Sequence, residues 1–227
     1  MSQDYVIGTF VREEKNRFLC TVNVEGTEEE CYIPSSCRLE NFLKLAGKEV
    51  LLRKNLNKKA RTRLAVYALR FKRNYMILRT SEANGMIINA IGGRRFSYLG
   101  DRRVFEKEKM VAGYKADVYL PRTKTVIEIK SIITTNDKAT FPTVFSERAL
   151  EQLQKIKILL EKGYKVIYIF VSLNPYVNEV SLSEEKTMVE YNRFFKECMD
   201  LGMICRAYSS ELKNGLPVIK KEIRVCL

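Results

Sequence analysis

The sequence predicts a mixed α+β protein. A small OB-like β-barrel spans residues 1–80, and an α/β unit with a central mixed sheet spans 81–227. Three observations predict this. The first eighty residues hold five or six short β-rich runs broken by turn residues. The remainder alternates apolar runs with stretches of helical period. Within the first eighty, residues 50–80 carry ten basic groups and no acid.

In chain order, Tyr5 to Val11, Arg17 to Val24 and Glu30 to Pro34 read as strands punctuated by Gly8, Gly26 and Pro34. Glu49 to Arg53 follows Ala46-Gly47; Leu64 to Phe71 and Tyr75 to Leu78 flank the turn Lys72-Arg73-Asn74. An OB-like barrel suits such a unit when it is also basic, although SH3-like barrels share the texture. Ser81 caps a helix with Ala83, Met86, Ile87, Ala90 and Ile91 behind it, stopped by Gly92-Gly93. Arg103 to Lys109, Tyr114 to Leu120 and Lys124 to Ile132 read as strands. Ser146 to Glu161 reads as a helix with Ala149, Leu153, Ile156 and Leu160 on its core face, closed by Gly163. Lys165 to Ser172 is an apolar buried strand, Glu184 to Leu201 a second helix, and Met203 to Tyr208 and Val218 to Val225 the last strands.

Composition excludes several chemistries. The chain has 227 residues and no histidine, so imidazole bases, Ser-His-Asp and Cys-His catalysis and His-ligated zinc are absent. Six cysteines form no C-x-x-C pair, and the reading is reduced cytosolic thiols, with Cys31 and Cys37 the one pair of interest. No apolar run reaches the ~20 residues of a membrane span. The first residues carry no signal-peptide pattern, so the expected location is cytoplasmic, without membrane contact.

The net charge of +13 implies a polyanionic partner. Its densest part is Arg53, Lys54, Lys58, Lys59, Arg61, Arg63, Arg70, Lys72, Arg73 and Arg79. Tyr67, Phe71 and Tyr75 interleave with these, as a base-stacking platform requires, although they are equally good strand-formers. The expected partner is nucleic acid, most of all DNA.

One constellation suits hydrolysis. If Arg122-Thr123 is a two-residue turn, position i pairs with 245 − i, and Asp117 lies opposite Glu128. Alternation then puts Lys115, Asp117 and Tyr119 on the face of Val126, Glu128 and Lys130. Opposed acids repel, and a divalent cation relieves this. Two carboxylates plus a main-chain carbonyl, that of Ile129, suit Mg²⁺ or Mn²⁺. Glu-x-Lys occurs four times, but only 128–130 lies in an apolar strand beside a second acid-bearing strand. A cross-strand ion-pair cluster, such as Asp117 with Lys130, is the alternative. On the next helix, Arg148, Gln152 and Lys155 form a polar row.

At these residues the chain resembles the sugar fermentation stimulation protein family. The resemblance rests on Asn16-Arg17-Phe18-Leu19, Pro34 to Arg38, Asn84, and Glu108 nine residues before Asp117. It continues through Val126 to Ser131, Phe141-Pro142 and Ser146-Glu147-Arg148. The resemblance implies an OB-like nucleic-acid-binding domain and a restriction-endonuclease-like domain of the P-D-(D/E)-x-K superfamily. It makes Asp117 and Glu128 metal ligands, Lys130 the catalytic lysine, Glu108 an auxiliary acid and Gln152 the helix-borne polar residue. It also adds Arg17, Arg38 and Arg148 to the nucleic-acid surface. Family members are described as DNA-binding, and as suspected nucleases or regulators of sugar metabolism. The chain departs from the family at Thr143 (usually Asp), Gln152 (often His) and Ser35-Ser36-Cys37 (usually Asn-Thr-Gly).

The resulting expectation is a DNA-binding protein with a Mg²⁺- or Mn²⁺-dependent phosphodiesterase site. Its rivals are a non-catalytic DNA-binding regulator and an RNA-binding or RNA-processing module.

Overall fold

A computed structural model describes residues 5–34, 39–55 and 59–227, without the side chains of residues 41 and 42. The N-terminal strands are β1 (Val6–Glu13), β2 (Leu19–Val24), β3 (Thr27–Tyr32), β4 (Glu49–Lys54), β5 (Leu64–Phe71) and β6 (Asn74–Ile77), with the one-turn helix α1 (Glu40–Leu43) before β4. The sheet order β3-β2-β1-β4-β5 closes through a parallel β3–β5 pairing at Cys31↔Leu64 and Tyr32↔Ala65. This is a closed five-stranded OB-type barrel, with β6 as an antiparallel extension on β5.

Inward residues fill the barrel, among them Phe10, Val22, Cys31, Val50, Leu64 and Met76. A buried phenylalanine such as Phe10 contributes about 2–3 kcal/mol by removal from water. Gly8 lies inside β1 rather than breaking it. A Cβ there would meet Val22 Cγ1 at 2.6 Å and the Asn23 carbonyl at 2.9 Å, so closure of β1 on β2 needs a glycine. Cys20 and Cys31 are opposed across β2 and β3 and are free thiols, and burial pushes the Cys31 thiol up to about 11. Cys37 lies outside the described residues.

The second sheet has eight strands in the order β10-β12-β14-β13-β11-β9-β8-β7. These are β7 (Glu106–Val111), β8 (Tyr114–Leu120), β9 (Thr125–Ile132), β10 (Lys138–Phe141), β11 (Lys165–Ser172), β12 (Glu179–Leu182), β13 (Ile204–Lys213) and β14 (Leu216–Cys226). The helices are α2 (Glu82–Ala90), α3 (Glu147–Glu161) and α4 (Val189–Asp200). β9, β11 and β13 run parallel, while β7–β8, β8–β9 and β13–β14 are antiparallel, so the sheet is mixed.

Every residue of β11 after Lys165 is buried, because both faces of this central strand are covered. Tyr168 and Phe170 pack with α3 and α4; Ile167, Ile169 and Val171 pack with α2 and with Leu51, Tyr67 and Ile77 of the barrel. The barrel and the second sheet thus share an apolar cluster, and the Ile77 N–H donates to the Leu173 carbonyl. No helix among the described residues is long and apolar enough to cross a membrane.

Two boundaries shift and two strands are added. Strands β10 and β12 carry little sequence signal, being four residues each and partly polar. α4 begins at Val189 after a 3₁₀ turn at Lys186–Met188 rather than at Glu184. The strand expected from Arg103 begins at Glu106.

Candidate functional site

The register of β8 against β9 is 118↔127, 119↔126 and 120↔125, which keeps i + j at 245. The turn is Pro121–Thr123, with the Lys124 N–H donating to the Pro121 carbonyl and Lys124 in left-handed backbone. The regular pairing ends at Val118. The Asp117 carboxylate instead accepts the Ile129 main-chain N–H at 2.7 Å, taking the place of a ladder carbonyl. The alternation of β8 breaks at the same point. Tyr114 and Ala116 pack with the α3 core, whereas Val118 and Leu120 pack on the α2 side. Residues two apart in a regular strand share a face, so β8 is kinked between 116 and 118. Across β7, Glu108 sits between the pairs 107↔118 and 109↔116 with φ 49°, marking the kink on the neighbouring strand.

This kink corrects the expected face. Lys115 turns outward and ion-pairs with Glu108 at 2.6 Å. The Glu108 carboxylate is 70% exposed, and its hydrogen bond with Lys115 lowers its pKa. The expected auxiliary acid therefore stands apart from the other candidates. Tyr114 takes the inward position, and its hydroxyl donates to Glu128 Oε2 at 2.5 Å.

The remaining candidates converge. Glu128 is 3% exposed and ion-pairs with Lys130 at 2.6 Å. Lys130 Nζ also donates to Gln152 Oε1 at 2.7 Å, so the polar row of α3 does reach the sheet. Asn84 of α2 donates to Asp117 Oδ1 at 2.9 Å. Each half of the site is thus held by a helix: α2 through Asn84 and α3 through Gln152. The predicted alternative of an Asp117–Lys130 ion pair is not what forms; the lysine closes on Glu128. Burial raises the Glu128 pKa; Lys130 opposes this and Asp117 adds to it. Among the described residues, no cluster of three or more acidic or cysteine side chains is arranged to hold a metal. The carboxylates of Asp117 and Glu128 are close enough to interact, and Asp117 also meets the main chain of β9 at the Ile129 N–H.

Asn84 and Tyr114 join the site without having been expected there. Asn84 has a signal in the sequence, since it belongs to the family resemblance. Tyr114 has none, because regular alternation assigns it to the opposite face.

The basic residues are dispersed by the fold. Arg53 turns inward, its guanidinium 3.4 Å from the Tyr67 ring centroid and 3.3 Å from Glu82. Arg61 and Arg63 ion-pair with Glu30 and Glu29 of β3, which the β3–β5 closure brings beside them. Arg70 lies over Tyr75, and Lys72 over Phe71 and Tyr176. The main-chain N–H of the exposed Arg73 donates to the Tyr176 hydroxyl. Lys54, Lys59 and Arg148 are exposed, as is Arg17, which lies over Phe18. Arg38 and Lys58 lie outside the described residues. The expected stacking platform does not form: Tyr67 is 1% exposed, and Phe71 and Tyr75 are half-buried.

An OB-type barrel followed by a mixed, restriction-endonuclease-like sheet with an acid-acid-lysine cluster defines the class of the protein. The model of the SfsA N-terminal OB domain matches residues 13–78, and that of the sugar fermentation stimulation protein RE domain matches 81–215. The chain belongs to the sugar fermentation stimulation protein family. A curated homologue from Methanobrevibacter smithii is 26% identical over 97% of both chains. One from Caldanaerobacter subterraneus subsp. tengcongensis is 24% identical over 97% of this chain and 96% of its own. The solved structure of Pyrococcus furiosus SfsA in complex with Ca²⁺ superposes over the full length of both chains, with a TM-score of 0.82 at 19% identity.

Proposed function

We propose that this protein binds DNA and hydrolyses its phosphodiester backbone with the help of a divalent cation. The observation that carries this reading is the convergence of Asp117, Glu128, Lys130 and Gln152 where β8 kinks beside β9. The donors suit a hard cation such as Mg²⁺ or Mn²⁺. Glu128 is a buried carboxylate whose ionised form is disfavoured by burial and by Asp117, and a cation relieves both. In extended backbone the N–H and C=O of a residue leave on the same side, so the Ile129 carbonyl is directed toward Asp117 with its N–H. The Ca²⁺ named for the Pyrococcus furiosus relative supports a divalent cation here.

When bound, such a cation acidifies a water and neutralises phosphate charge. The chain's own residues supply the rest. Asp117 and Glu128 hold the cation, with Asn84 and Tyr114 fixing their carboxylates. Lys130, aimed by Gln152, stabilises the charge that develops on the phosphate.

The test is cleavage of plasmid and single-stranded DNA in Mg²⁺ or Mn²⁺, with Asp117→Ala as control. Wild type is expected to nick both and the variant neither; survival of both substrates with wild type defeats the hydrolytic reading. The outward position of Glu108 leaves two carboxylates and favours a second reading, a DNA-binding regulator without catalysis. The same assay separates the two.

A further inference from the structure

The barrel carries an open cleft of about 430 Å³ that no part of the site above uses. Phe18, at the end of the β1–β2 loop, and Tyr32, at the end of β3, expose their rings into it, each 37% exposed. The two rings lie 16° from parallel with centroids 6.3 Å apart. Three arginines line the same cleft. Arg17 lies 4.7 Å from the Phe18 centroid, Arg53 lies over Tyr67, and Arg79 is half exposed at the mouth. Among the described residues, the lining of the cleft holds these three arginines and no acid, and Glu82 lies 3.3 Å from Arg53 and 4.0 Å from Arg79.

A ligand for this cleft must present a flat ring face and negative charge together. Both faces of a paired base are hidden by stacking within the duplex, whereas an unpaired base offers its face beside a phosphate. The cleft lies at the β1–β2 loop and beside the strand ends where OB barrels take oligonucleotides. The cleft and the acid cluster are each in contact with α2. Glu82, which contacts Arg53, and Asn84, which holds Asp117, are two residues apart on α2.

We infer that Phe18 and Tyr32 stack an unpaired base of single-stranded DNA, with Arg17 and Arg79 receiving the adjacent phosphates. This rests on the nucleic-acid reading above and names the form of the substrate.

The test is fluorescence anisotropy of the full chain in EDTA, where hydrolysis lacks its cation. The probes are an oligo-dT strand, an abasic strand of equal length and charge, and a blunt duplex. Wild type is expected to prefer oligo-dT over the abasic strand by roughly tenfold or more, on the scale of one stacked base. Phe18→Ala and Tyr32→Ala are expected to erase that preference, with far-UV circular dichroism unchanged. Phe18→Tyr, which keeps a ring face, is expected to retain it. Equal binding of oligo-dT and abasic strand by wild type overturns the inference while leaving a phosphate-tracking surface intact. A preference that survives both alanine variants overturns it as well. Absence of binding to every probe defeats the DNA-binding reading itself. Base-dependent binding without cleavage in Mn²⁺ defeats only the hydrolytic one.

Discussion

The Asp117 carboxylate accepts the Ile129 main-chain N–H at 2.7 Å, so an acid of the candidate site also serves as the last link between β8 and β9. Its second oxygen is held by Asn84 at 2.9 Å. Both oxygens are therefore oriented before any ligand arrives, each keeping a further lone pair for a cation.

Asp117→Ala should cost stability as well as activity. It leaves the Ile129 N–H and the Asn84 amide without their acceptor, a loss of about 1–3 kcal/mol. Urea denaturation is the measurement. An unchanged unfolding free energy would show that this link does not support the sheet.

Glu128→Gln should change how stability depends on pH. Burial raises the folded-state pKa of Glu128 above its ordinary 4.5. Its contribution is therefore fully present below 4.5 and is lost as pH rises through the folded value. Glutamine stays neutral throughout. Between 4.5 and the folded value, the variant should gain on wild type by about 1.4 kcal/mol for each step of one pH unit. Unfolding curves that run parallel from acid to neutral pH would contradict this.

Gln152→Ala should separate positioning from folding. Lys130 keeps its pairing with Glu128 but loses the acceptor that aims it. Stability is expected to fall by less than about 1.5 kcal/mol, the net worth of one hydrogen bond. On the hydrolytic reading, kcat should drop about tenfold through lost orientation. An unchanged kcat in single-turnover cleavage would remove Gln152 from the site.

Arg53→Ala and Arg61→Ala should differ, although both lie in the acid-free stretch. Arg53 holds the Tyr67 face, donates to the Tyr5 hydroxyl at 2.7 Å and pairs with Glu82, largely out of water. Its loss is expected to cost about 2 kcal/mol or more. Arg61 pairs with Glu30 in solvent and should cost under about 1 kcal/mol. Equal losses in thermal or urea unfolding would contradict the assignment of Arg53 to the interior.

Much of this was legible in the chain. The β8–β9 register followed from a short turn flanked by apolar alternation, and β11 from an unbroken apolar run. Glu128, Lys130 and Gln152 followed from spacing and helical period. Alternation failed at Ala116–Val118, because the pairing of Asp117 with a main-chain N–H is specific to the folded sheet. That failure moved Lys115 and Glu108 out and Tyr114 in.

The sequence by itself determined most of the longer elements, the barrel's strands, the hairpin register and the absence of imidazole chemistry. These depend on near neighbours and on period, which one chain displays directly. Only the tertiary structure decided how the charge is spent. The ten cations of 50–80 read as one patch, yet strand adjacency sets Glu29 and Glu30 beside Arg63 and Arg61 and folds Arg53 against Tyr67. It likewise buried Tyr67 and exposed Phe18 and Tyr32. Partner and exposure are set by which strands meet in space, and barrel closure brings together residues more than thirty positions apart.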